Sequence, residues 1–129
     1  MSFKYDPRRR IDPERWLAHS EAERIEAATS YHRKRALGGP NLVAHATFHV
    51  VVENQVALGA ATPVQATLAR LMGEGLDRHD AVHAIGSVLA SHVYDLLKAP
   101  EERTDPNTTY YAELSKLNAT AWRAGRMNG

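Results

Sequence analysis

Cysteine is absent from this 129-residue chain, which removes disulfides, thiolate metal sites, iron–sulfur clusters and cysteine nucleophiles together. Any bound metal must therefore use imidazole and carboxylate. An excess of charge of one sign is also missing, since sixteen basic residues stand against fifteen acidic ones for a formal net charge of +1. A dedicated nucleic-acid binder carries a stronger basic field, so a nucleic-acid partner is not expected. The basic cluster Lys4, Arg8, Arg9 and Arg10 and the late Arg123 and Arg126 read as solvated ends. No run approaches the roughly 18 apolar residues of a membrane span, and no apolar stretch follows the charged N-terminal residues. No membrane partner is expected, and a cytoplasmic protein is the simplest reading.

What is present suits one soluble domain, with 43% hydrophobic and 24% charged residues and enough length to bury a core. Residues 1–12 hold two aromatics, an Asp-Pro and three consecutive arginines, and read as an extended arm that packs through Phe3 and Tyr5. Asp12-Pro13 is an N-cap followed by proline at the first helical position and opens a short turn. Ser20 and Glu23 form a capping box for a helix reaching Lys34 or Arg35. Gly38-Gly39-Pro40 breaks the chain, Asn41 caps a helix that Gly59 ends, and Thr62-Pro-Val-Gln65 opens another that stops by Gly73 or Gly75. Asp77 caps a helix running to Lys98, a polar loop follows through Asn107, and a last helix spans 109–123. The pattern predicts an all-α, single-domain up-and-down bundle of four to five helices over residues 13–124, with a C-terminal tail from 125 to 129.

The segment 41–59 organises the chain. It is apolar nearly all round, as a central helix must be, except for His45, His49 and Glu53 at successive steps of four. Each such step drifts only about 40° round a helix, so the three form one narrow stripe. His79 and His83 repeat the spacing in the helix after Asp77. Facing pairs supply four nitrogens, with Glu53 as a fifth ligand, a general base or a second-layer partner. Among metals, borderline-soft imidazole favours Zn²⁺ over Fe²⁺, and both over Mn²⁺. His32 and Glu26 lie about 240° apart on their helix, so at most one joins the site. His92, about 180° from His83, reads as a surface or opposite-face residue, and His19 as exposed.

The stretches HAxxHVVVENQ from His45 and GLDRHDAxHAIGSVL from Gly75, with Tyr31-His32 and Pro40-Asn41, resemble an uncharacterised family of small bacterial all-helical proteins across about residues 13–97. The resemblance implies a bacterial origin and a helical metal-site candidate at His45, His49, Glu53, His79 and His83, without a substrate. Three readings follow. One is a metalloenzyme in which the ion activates water or dioxygen for a small-molecule reaction, with Glu53 as bridge or base. Another is a structural or sensory metal-binding module. His79-Asp80, with His49 thirty residues upstream, also resembles the core of the HD phosphohydrolases. Without a metal, the histidines would form a buried polar network, and the apolar central helix would suit a homodimer interface.

Overall fold

The computed structural model describes residues 3–37, 39–99 and 106–128. Among these every regular element is helical: α1 (Pro13–Ala18), α2 (Glu21–Lys34), α3 (Leu42–Ala57), α4 (Val64–Gly73), α5 (Arg78–Lys98), α6 (Pro106–Lys116) and α7 (Ala119–Asn128), with 3₁₀ turns at Gly39–Asn41 and Gly59–Ala61. None of these helices is long and apolar enough to cross a membrane. The all-α class agrees with the sequence reading. The count is higher because α1 forms a helix of its own and the last helix is divided.

The division has a local cause. The Asn118 side chain accepts from the Ala121 N–H at 2.8 Å, and Glu74 accepts from the Ala119 N–H at 2.9 Å. Together they start a fresh helix after Lys116. That helix runs to Asn128, through the segment expected to be a tail. Most of the loop expected after Lys98 lies outside the described residues.

The other starts vary in how closely they follow their signals. Asp12 accepts from the Glu14 N–H, the Ser20–Glu23 capping box is complete, and Asp77 accepts from the Asp80 N–H at 2.7 Å. Asn41 makes no side-chain cap, because a 3₁₀ turn precedes it. The Thr62 hydroxyl accepts from the Val64 N–H at 3.2 Å, one residue before the capping-box position.

α3 is central, packing against α1, α2, α4 and α5, which is why its sequence is apolar on several faces. Ala46 and Val50 join Trp16, Ala28 and Tyr31 in one core cluster. Val52 faces the other, built from Val64, Leu68 and Leu71 of α4, Val82 and Ile85 of α5, and Tyr110 and Leu114 of α6. Only the ends emerge, leaving Val43 and Leu58 exposed. His92 does lie on the far face of α5, but it is buried there, stacked on Tyr110 at 5.5 Å. The histidines of α2, α3 and the start of α5 occupy the junction of those three helices.

Candidate metal centre

Five imidazoles converge. His45 and His49 are one turn apart on α3 with ring centroids 4.9 Å apart, and His79 and His83 on α5 are 5.1 Å apart. Across the helices His45 lies 4.6 Å from His83, and His49 lies 5.0 Å from His83 and 5.3 Å from His79. The last turn of α2 adds His32, 4.4 Å from His49 and 4.6 Å from His45. One ligand atom each from His32, His45, His49 and His83 falls within a group whose members all lie within 4.8 Å of one another. Four nitrogens about 2.1 Å from a tetrahedral zinc would stand roughly 3.4 Å apart, so modest side-chain closure brings these imidazoles within reach of one ion. His79 borders this group without belonging to it.

The hydrogen bonds set the tautomers. His32 Nδ1 lies 2.7 Å from the Ala28 carbonyl, which can only accept, so Nδ1 carries the proton and Nε2 a free lone pair. Tyr5 Oη donates to Glu53 Oε2 at 2.6 Å and lies 3.1 Å from His49 Nδ1. The phenolic proton being committed to the carboxylate, His49 Nδ1–H donates to Tyr5 and again Nε2 is left bare. The Nε2 atoms of His32, His49 and His79 are buried with no hydrogen-bond partner among the described residues. An orphaned buried polar atom costs about 1–3 kcal/mol, and three such nitrogens in one cluster, those of His32 and His49 as bare lone pairs, call for a shared occupant. His45 and His83 face each other through their Nε2 atoms at 2.9 Å, a pair that holds one proton where a cation would take both lone pairs.

Electrostatics keep four of these rings, His32, His45, His49 and His79, neutral, the form that ligates metal. Burial, then His83 and His32, pulls His45 down to about 4. His49 is lowered further, by burial first and then by His32, His83, His45 and His79. Burial also lowers His32 and His79, though Asp77 and Asp80 oppose the shift at His79.

Glu53 stands one layer behind. The Arg78 guanidinium donates to both its oxygens, at 2.7 and 2.8 Å, with side chains only 6% and 1% exposed. With Tyr5 as a third donor, this carboxylate is held by protein groups and connects through Tyr5 to His49, an arrangement that fits the second-layer reading of Glu53 better than the ligand or base readings. Arg78 also donates to the Pro7 carbonyl at 2.9 Å, so the N-terminal arm is built into the site. Protein-family models, curated proteins and solved structures offer no match to this chain.

The sequence reading missed Tyr5 and Arg78, although a buried Glu53 by itself demands a nearby cation. Of the two residues left open on α2, His32 is fully buried in the cluster and Glu26 is exposed. Asp80 is not among the grouped ligand atoms; its backbone N–H serves the Asp77 cap.

Proposed function

We propose that this protein is a metalloprotein whose ion is held by His32, His45, His49 and His83, with His79 as a fifth nitrogen where the ion takes a higher coordination number. The three buried, unpartnered Nε2 atoms carry this reading. An all-imidazole donor set favours zinc, then iron, and disfavours manganese, which prefers oxygen. A pocket of about 180 Å³ reaches the cluster beside His45, His49 and His83, which supports an open site that activates water or dioxygen for a small-molecule reaction over a closed structural one. The HD-like reading loses support, because Asp80 stands outside the nitrogen group. On this reading the resemblance to small bacterial helical proteins makes the centre a feature shared with them, in a cytoplasmic setting.

A structural or sensory role is the second reading, favoured by the fact that the four imidazoles come from three helices, so that one ion would clamp α2, α3 and α5. Elemental analysis of tag-free protein tests both readings. Near-stoichiometric zinc or iron, lost in His49→Ala/His83→Ala, is expected. Protein that holds no metal even after reconstitution would return the histidines to a polar core.

A further inference from the structure

The pocket beside the cluster has a construction of its own. It lies between α3 and α5, with His45, His49 and His83 at its inner end and Phe48, Val82 and Ala90 among its apolar walls. Among the described residues no Lys, Arg, Asp or Glu lines it; the polar groups there are the imidazoles and Ser87, whose hydroxyl donates to the His83 carbonyl at 3.0 Å. Its volume of about 180 Å³ falls below the ~300–1,000 Å³ of sites for drug-sized ligands.

Gly86 is the unusual residue. It lies inside α5, one turn from His83 and Ala90, where glycine weakens a helix relative to alanine. Packing does not require it, since nothing lies within 4 Å of the place a Cβ would take. Because Gly86 lines the pocket, what the missing side chain leaves is room next to the imidazoles.

We propose that this pocket is a binding site for a small, uncharged, largely apolar molecule with a single donor atom directed at the ion, and that Gly86 sets its size limit. The inference rests on the metal reading above and names the ligand class for that site. The walls supply contact area for an apolar body. With no charged side chain among the described lining residues, a carboxylate, phosphate or ammonium group would be desolvated without a partner there.

Cobalt-loaded protein tests this with ethanethiol, whose sulfur gives a thiolate-to-cobalt charge-transfer band on coordination, and with 3-mercaptopropionate, which has the same donor and an added charge. Wild type is expected to bind ethanethiol at least about tenfold more tightly than the charged thiol. Gly86→Leu is expected to weaken ethanethiol binding by at least about tenfold while leaving the cobalt d–d bands in place, and Gly86→Ala to retain most of it. Cobalt-loaded wild type without a thiolate band, or Gly86→Leu binding ethanethiol as tightly as wild type, would overturn the proposal. Failure of the metal reading is seen separately, as protein that takes up no cobalt before any thiol is added.

Discussion

Replacing Arg78 with methionine is expected to be among the most destabilising single changes in this chain. The guanidinium makes two bonds to Glu53 and one to the Pro7 carbonyl. In the variant the carboxylate stays buried with Tyr5 as its remaining donor among the described residues. Breaking a buried pair from one side costs about 3–5 kcal/mol. Urea denaturation of wild type and Arg78→Met at pH 7 should therefore show a deficit of about 3–5 kcal/mol. In Glu53→Gln/Arg78→Met the losses should fall short of additive by about 1–3 kcal/mol. A deficit under about 1 kcal/mol at pH 7, or losses that add fully in the double variant, would refute a buried Glu53–Arg78 pair.

Other expectations follow from the same geometry. Tyr5→Phe removes the hydroxyl that joins Glu53 to His49 and should weaken zinc binding by roughly 10–100-fold, measured by competition with a chelator. The metal-free protein should lose stability as pH falls from about 6.5 toward 4. His45, His49, His32 and His79 have lowered values in the fold, so in this window the unfolded chain binds more protons than the native one and stability rises with pH; thermal melts that are flat across it would contradict neutral buried imidazoles. Gly86→Ala should raise stability by about 0.5–1 kcal/mol, as nothing within 4 Å meets the added methyl, and urea midpoints check this. Adding zinc at about 100 times its Kd should stabilise the metal-free protein by ~2.7 kcal/mol, an increment absent from His32→Ala/His49→Ala.

Four of the five clustered histidines were legible from spacing, because two residues four apart share a helical face whatever surrounds the helix. Which face α2 turns inward was not, since Glu26 and His32 offered opposite choices and the packing of Tyr31 and Ala28 against α3 decided it. Glu53 stood correctly on the stripe of His45 and His49. Its partners come from 48 positions upstream and 25 downstream in Tyr5 and Arg78, and helical periodicity carries no information over such distances. Arg78 is the first residue after the Asp77 cap, a position that gives no sign of the long reach of its side chain. The break before α7 was readable in principle, as Asn118 is a good N-cap, but Leu117 and Trp122 continue the apolar pattern across it. His92 kept its face and acquired burial, because α6 lays Tyr110 over it.

The most direct measurement is a Co²⁺ titration of metal-free, tag-free protein followed by visible absorption, with His32→Ala/His49→Ala in parallel. The account expects intense d–d bands of a low-coordinate, nitrogen-bound ion that saturate at one equivalent and are missing from the variant. Weak bands of the hydrated ion that never saturate, or equal spectra from wild type and variant, would contradict a metal centre built on these imidazoles.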